Sequence, residues 1–322
     1  MIPGVRVGHC TVSRDPDVRT GVTVIVPPDL PLFAGAHRLN GNGELTGLEW
    51  IRESGLLTSP IGLTNTHSVG VVRDALVEET IRDGSDLWAL PVVGETYDGF
   101  LNDINGMHVK REHVFEALRD AREGEGSGEV AQGCVGGGTG MICHGFKGGI
   151  GVASRPAGEF VVGVVVQANH GRRPRLTVDG VPVGREIGAD VVPLPGGAVP
   201  EGAGSIIVVV ATDAPLLPQQ CARVAQRAAL GVGRTGGAGE NSSGDLMLCF
   251  STGNRRAGAR GAVQMLANDE LDELFYATIE ATEAAILNAL LHAETTTGRD
   301  GRVAYALPHD RFEEVMRRYG RL

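Results

Sequence analysis

The sequence predicts an α/β fold built in layers, and three observations carry that reading. Residues 205–210 (SIIVVV) form an unbroken β-branched run, followed by a helical pattern with Leu217, Cys221, Val224, Ala225 and Ala228 on one face. A second short apolar run, residues 246–251, precedes the longest helical pattern in the chain, residues 269–293. Similar alternations recur earlier, as expected of sheets covered by helices. The chain has 322 residues, 42% hydrophobic but only 4% aromatic, so the core should be aliphatic. Its 48 glycines follow no collagen-like period, which marks tight turns and close backbone approaches.

In chain order, residues 5–10 and 21–26 read as short strands, the second stopped by Pro27, Pro28 and Pro31. Residues 41–55 carry Leu45, Leu48, Trp50 and Ile51 at mixed helical spacing. The run 61–66 turns polar where a strand would hand over to a helix over 71–77. Asn65, Thr66, His67 and Ser68 fit either a helix cap or the wall of a site. Residues 90–97 read as a strand entering a polar loop, in which Asn102, Asp103, Asn105 and Gly106 have turn chemistry. Val114, Ala117 and Leu118 place a helix over 112–122, and a glycine-rich acidic break follows it.

Residues 133–140 (GCVGGGTG) are not a P-loop, because no Gly-Lys-Ser/Thr closes them. They do not open a strand-turn-helix dinucleotide unit either. Clustered glycines suit close backbone packing, or an oxyanion wall of exposed N–H groups around Gly138. Residues 161–167 form a β-branched strand leading to Asn169 and His170. The Pro/Gly-rich stretch 180–204 is expected at the surface, and a glycine- and arginine-rich loop runs from Ser251 to about Ala267.

Charge and cysteine usage narrow the function. The formal net charge is −10, and the arginines cluster only at Arg255, Arg256 and Arg260 and near the C-terminus. Nucleic acid is therefore not an expected partner. Five cysteines, with no C-x-x-C spacing, support neither a disulfide scaffold nor a zinc site. His108 and His113 lack a carboxylate or thiol at ligand spacing, so no metal and no cofactor are expected. Without a charged region leading into a long apolar one, no signal peptide or membrane span is expected. The chain should be cytoplasmic, without a membrane partner.

The chemistry centres on residues 234–245 (RTGGAGENSSGD). This is a polar, glycine-rich loop that ends with two serines at the mouth of a buried strand. Composition alone leaves an ordinary polar turn open beside a functional loop. On the late helix, Glu283 shares a face with Ile279, Ile286 and Leu287, an apolar stripe where a carboxylate must be paired or shift its pKa. That suits a proton-handling group.

Residues 239–245 (GENSSGD), followed by 250–254 (FSTGN), resemble the nucleophile region of the DmpA family. This is the S58, or P1, family of L-aminopeptidase/D-esterases and β-peptidyl aminopeptidases. The resemblance continues through 5–9 (VRVGH), 40–44 (NGNGE), 64–70 (TNTHSVG), 95–99 (ETYDG), 101–106 (LNDING), 136–141 (GGGTGM), 211–216 (ATDAPL) and 282–290, nearly the whole chain in order.

The resemblance implies a four-layer αββα sandwich with the architecture of N-terminal-nucleophile hydrolases. It implies a single domain, residues 1–322, that cuts itself before Ser243 into an α chain 1–242 and a β chain 243–322. Ser243 would then be the nucleophile and its α-amine the base. Many relatives have glycine before the nucleophile, where this chain has Ser242. The family's late-helix Ser/Glu pair falls on Ala281 and Glu283, with Thr282 as the substitute hydroxyl. Oxyanion or substrate-binding candidates are Asn65, Gly138, His144 and Asn169, and relatives tend to carry tyrosine near His144. The implied activity is hydrolysis of peptides or amides with a free amino terminus through an acyl-enzyme, in a homotetramer of αβ units. Two alternatives are a conventional serine hydrolase without self-cleavage and a non-catalytic relative that binds a small ligand. The absence of G-x-S-x-G weighs against an α/β-hydrolase elbow.

Overall fold

The computed structural model describes residues 2–82, 84, 89–124, 129–196, 204–254 and 261–322. The arginine cluster at 255–260 lies outside these. The elements run β1 (Arg6–Arg14), β2 (Val18–Val26), β3 (Leu32–Gly41), α1 (Leu48–Ser54), β4 (Leu56–Leu57), β5 (Ile61–Asn65), α2 (Val69–Arg82), β6 (Val92–Thr96) and α3 (Arg111–Glu123). They continue with β7 (Ile142–Cys143), β8 (Phe146–Lys147), β9 (Gly149–Ala157), β10 (Phe160–Asn169), α4 (Val183–Glu186), β11 (Ser205–Thr212) and α5 (Pro218–Arg234). The chain closes with β12 (Gly244–Ser251), α6 (Asp272–Leu291), β13 (Thr296–Thr297), β14 (Val303–Ala304) and α7 (His309–Arg318).

Two sheets, ordered β1-β2-β5-β6 and β4-β3-β12-β11-β10-β9, face each other between two layers of helices. Three buried clusters fill the three gaps of this αββα sandwich. Val22, Val24, Val72, Leu76, Val114 and Leu118 join the first sheet to α2 and α3. Ile25, Leu63, Ile207, Val209, Leu248 and Phe250 fill the space between the sheets. Ile206, Val208, Val210, Val224, Ala228, Ala285 and Ile286 join the second sheet to α5 and α6.

This layering explains why β11 reads as continuously apolar. Its odd positions, Ile207 and Val209, face the other sheet, and its even positions, Ile206, Val208 and Val210, face the helices. A strand covered on both faces has no solvent side to mark with polar residues. The same division holds in β12, where Leu246, Leu248 and Phe250 point inward and Met247 and Cys249 point to the helices. Strand β12 pairs parallel with β11 and antiparallel with β3, so it is central in its sheet. Helix α6 is long and apolar enough to cross a membrane by length and composition, but it packs against β9, β10 and α5 as a core helix.

One expectation is narrowed and one changes. Of residues 41–55, read at mixed helical spacing, only Leu48–Ser54 is helical, and β3 extends to Gly41. The stretch 180–204, expected at the surface, buries Val181, Val183, Ile187 and Val192 in the helix-side core, residues 197–203 lying outside the described part. Proline and glycine correctly marked a connection there, but the apolar residues between them decide where it lies.

Candidate active site

Helix α5 ends at Arg234, and Thr235 turns its hydroxyl back to the Val232 carbonyl at 2.9 Å. The loop then closes in a tight turn, in which the Ser243 N–H donates to the Glu240 carbonyl at 2.8 Å. Strand β12 starts one residue later, so Ser243 sits at the strand mouth, with 2% of its surface exposed. Its hydroxyl donates to Asp245 Oδ1 at 2.6 Å. Burial raises the Asp245 carboxyl above its usual range, while hydrogen bonds from Ser243 and the Ile206 N–H oppose the rise.

The turn 40–43 holds the other side of this junction. Asn42 Nδ2 donates to the Ser242 carbonyl at 2.7 Å, and the Asn42 N–H donates to the Ser243 carbonyl at 3.2 Å. Asn40 Nδ2 donates to the Glu240 carbonyl. Position 244 has to be glycine: a Cβ there would stand 2.6 Å from the Asn42 carbonyl oxygen. The β3–β12 register slips between Asp245 and Leu246, a bulge of the kind that re-aims side chains beside a site. The Gly244 N–H is taken by the Ser205 hydroxyl at 3.1 Å. The buried Glu95 accepts the Glu44 N–H at 3.0 Å and the Thr66 hydroxyl. Its Oε1 would lie 3.1 Å from a Cβ on Gly43, which abuts Gly244, and burial raises its pKa. A cavity of about 460 Å³, whose lining includes Arg38, Gly41, Gly43, Trp50, Arg73 and Leu246, opens beside this crossing.

The donors of Asn65, Gly138 and Asn169 have partners of their own. Both amide hydrogens of Asn65 are committed, to Thr20 Oγ1 at 2.8 Å and Asp98 Oδ2 at 3.1 Å. The Gly138 N–H donates to the Val135 carbonyl at 2.8 Å, while Gly136 and Gly137 donate to the hydroxyls of Thr11 and Thr23. The glycine cluster therefore serves backbone packing, and Gly138 offers no free donor. Asn169 stands opposite Ser205 in the sheet, close to the Ser243 junction. It accepts the Ile142 N–H at 2.7 Å and donates to the Tyr97 carbonyl at 3.0 Å, so it braces the loops around the site. His144 is fully buried in a left-handed conformation, φ 50°, and burial lowers its pKa to about 4.

Glu283 is placed in the outer layer. Its carboxylate pairs with Arg234 at 2.9 Å, and among the described contacts none joins it to Ser243. Burial raises its pKa, Arg234 opposes that, and Asp179 and Glu280 add to it. The Thr282 hydroxyl donates back to the Thr278 carbonyl at 2.7 Å, so its hydrogen stays within the helix. The Asn288 amide meets the Val152 carbonyl, and the Ala285 carbonyl lies against Gly151, where a Cβ would stand 1.8 Å away. Later turns of α6 approach the sheet end that carries Asn169, Ser205 and Ser243, because the His292 carbonyl abuts Gly133, which bridges to Ile150. Glu283 shares that end, one layer out, and its partner Arg234 is the residue from which the nucleophile loop departs.

The family model for peptidase family S58 matches residues 2–304. The chain belongs to peptidase family S58. Beta-peptidyl aminopeptidase BapA of Sphingosinicella microcystinivorans is 45% identical, over 100% of this chain and 88% of that protein. A Burkholderia sp. beta-aminopeptidase structure is 50% identical with a TM-score of 0.90, covering 99% of this chain and 93% of that one. The L-aminopeptidase D-Ala-esterase/amidase of Ochrobactrum anthropi is 42% identical with a TM-score of 0.91, covering 100% and 93%. That structure is described as a prototype for the serine aminopeptidases and a new variant among the Ntn hydrolase fold. This S58 chain is accordingly a serine aminopeptidase with an Ntn-hydrolase fold. Asn42, Asp245 and Glu95, which stand at the serine junction, lie within stretches that resemble the family but carry no individual signal in the sequence. Only the pairing of β3 with β12 brings Asn42 and Asp245 to one peptide bond, with Glu95 behind the turn that carries Asn42.

Proposed function

We propose that this S58 aminopeptidase matures by cutting its own Ser242–Ser243 bond, and that Ser243 then works as an N-terminal nucleophile. The observation that carries this reading is the setting of that one peptide bond. The Ser243 hydroxyl donates to a buried carboxylate, and the carbonyl it would attack already accepts a hydrogen bond from Asn42 Nδ2. A serine hydroxyl needs a base to become a nucleophile, and Asp245 stands where one is needed before a free α-amine exists. The tetrahedral oxyanion needs a fixed donor, and Asn42 supplies it. Attack by Oγ forms the Ser242 ester as the C–N bond breaks and the amine takes a proton. Water then cleaves the ester, leaving a Ser242 carboxylate and a free Ser243 amine. Holding both reacting groups in one turn replaces an encounter between molecules, an effect that reaches effective molarities of about 10⁵ M or more.

The fold tolerates that cut. Strand β12 stays hydrogen-bonded between β3 and β11, which both belong to residues 1–242, and α6 stays packed on β9 and β10. Residues 1–322 thus act as one domain of two chains, 1–242 and 243–322. Once Ser242 leaves, Asn42 Nδ2 is released to a substrate oxyanion, and the Ser243 α-amine, with an intrinsic pKa of about 8, takes over as base. Asn169 and His144 shape the surroundings, and the Glu283–Arg234 pair roots the loop that carries the serine. The relatives' names support peptides and amides with a free amino terminus as substrates, β-residues included. A homotetramer of αβ units in the cytoplasm completes the proposal; five free thiols suit a reducing compartment. Light scattering showing a lone αβ unit at micromolar concentration would overturn the tetramer.

Turnover tests the substrate class. Amides of β-alanine and of L-alanine with free amines should be hydrolysed by wild type and not by Ser243→Ala. Their N-acetyl counterparts should be inert, and equal turnover of acetylated and free amides would remove the aminopeptidase reading.

A further inference from the structure

Beside the serine junction, one cluster of side chains carries a chemistry that the peptidase steps do not use. Cys143 and His144 lie on the β7–β8 hairpin, and His170 follows the last residue of β10. Their sequence spacing matches no metal motif, yet the fold brings one ligand atom of each within 4.8 Å of the other two. All three residues are buried. Nε2 of His144 and Nε2 of His170 are both buried without a hydrogen-bond partner, an arrangement that costs about 1–3 kcal/mol for each such group. The orphaned His144 Nε2 calls for a ligand, and the neighbouring His170 ring turns its Nδ1 toward Cys143 Sγ.

The backbone points the same way. The two-residue turn of the hairpin places His144 at φ 50° and Gly145 at φ 70°. Turns with two left-handed residues favour asparagine or glycine at both positions, so histidine there is a strained choice. The strain presents the ring: His144 Nδ1 faces the Arg172 carbonyl at 3.2 Å, and the His144 N–H donates to the His170 carbonyl at 2.7 Å. An imidazole that gives its Nδ1 proton to a backbone carbonyl has its Nε2 lone pair fixed for a metal. Cys143 Sγ lies 3.8 Å from His170 Nδ1. Zinc–sulfur and zinc–nitrogen bonds of about 2.3 and 2.0–2.1 Å put tetrahedral sulfur and nitrogen about 3.6 Å apart, close to this separation.

We propose that Cys143, His144 and His170 form a binding site for a thiolate- and imidazole-preferring divalent metal, zinc first among them. Binding displaces the Cys143 thiol proton to solvent, and the resulting thiolate and two neutral imidazoles provide three protein ligands. The fourth position is left to water. Two cations stand close to the cluster, each bonded to carbonyl oxygens: Lys147 Nζ to Gly138 and Gly148, and Arg173 to His144, Gly145, Ile187 and Val192. The site also touches the nucleophile loop, because a Cβ on Gly237 would stand 3.1 Å from His170 Cδ2. Metal binding would therefore tie that loop to the β7–β8 hairpin.

The test uses the full chain dialysed against chelator and then titrated with zinc and, separately, cobalt(II). One zinc per chain should bind, and cobalt should give a near-ultraviolet thiolate-to-metal band. Cys143→Ser should abolish that band, and Cys143→Ser and His170→Gln should each weaken zinc binding about 10–100-fold or more, while Cys134→Ser changes neither. No zinc uptake by wild type, zinc uptake without a cobalt thiolate band, or a band that survives Cys143→Ser would overturn the site. Should Cys143→Ser fail to fold by circular dichroism, cadmium NMR of the wild type decides. A resonance in the mixed sulfur–nitrogen range supports the site, and one in the oxygen range rejects it.

Discussion

Ser243 and Glu283 stand at the same end of one sheet and are held in opposite ways. Around Ser243, groups from two segments meet on one peptide bond: Asp245 takes the hydroxyl, Asn42 takes the preceding carbonyl, and Glu240 takes the N–H. Around Glu283, among the described residues, there is one ion pair, to Arg234, whose side chain is 48% exposed. Partly exposed pairs contribute little to stability, about 0–1 kcal/mol. The contrast teaches that a buried-looking carboxylate on an apolar stripe and a reacting group differ in what converges on them. Burial raises the pKa of both Asp245 and Glu283, so the pKa alone does not separate the two roles.

Variants in the two regions should separate them, beginning with the largest effect. Ser243→Ala should remain uncut and lose turnover by orders of magnitude, as in other enzymes stripped of a nucleophile; residual amidase activity near wild type would move the chemistry elsewhere. Asp245→Asn should slow self-cleavage of the refolded precursor by about 10²–10⁴-fold, the range for a general base. The wild-type processing rate should climb with pH through a value above the ordinary aspartate pKa and then level off, because the base acts only when ionised and burial raises its pKa. Loss of that limb in Asp245→Asn would confirm its source, and an unchanged limb would assign the proton elsewhere. Asn42→Ala should cost about 10²–10³-fold in the same assay, the usual effect of removing one oxyanion donor. Glu283→Gln should still process, with kcat lowered about tenfold or less and the acidic limb of its pH profile shifted. A total block of processing by Glu283→Gln would put Glu283 in the reacting shell and erase the contrast.

Much of the layering was legible because strands buried on both faces write long β-branched runs, as β10 and β11 do. Strand β3 was missed. It follows Pro27, Pro28 and Pro31 and carries His37, Arg38 and Asn40, so it shows neither an apolar run nor clean alternation. That miss hid half of the site, because the turn after β3 is what sets Asn42 against Ser242. The loop that carries Ser243 stood out through its composition and the family resemblance. Asp245 was quoted with that loop, yet its bond to the hydroxyl depends on the bulge between Asp245 and Leu246, which local sequence does not announce. Gly138 was read as a donor from its glycine neighbours, but its N–H closes a local turn on the Val135 carbonyl, while Gly136 and Gly137 bond to the hydroxyls of Thr11 and Thr23 from distant strands.

Intact mass under denaturing conditions tests the central claim most directly. Freshly purified wild-type protein should give two chains, residues 1–242 and 243–322, the smaller beginning with Ser243. A single uncut chain of 322 residues with full aminopeptidase activity, or a smaller chain beginning at Ser242, would contradict it.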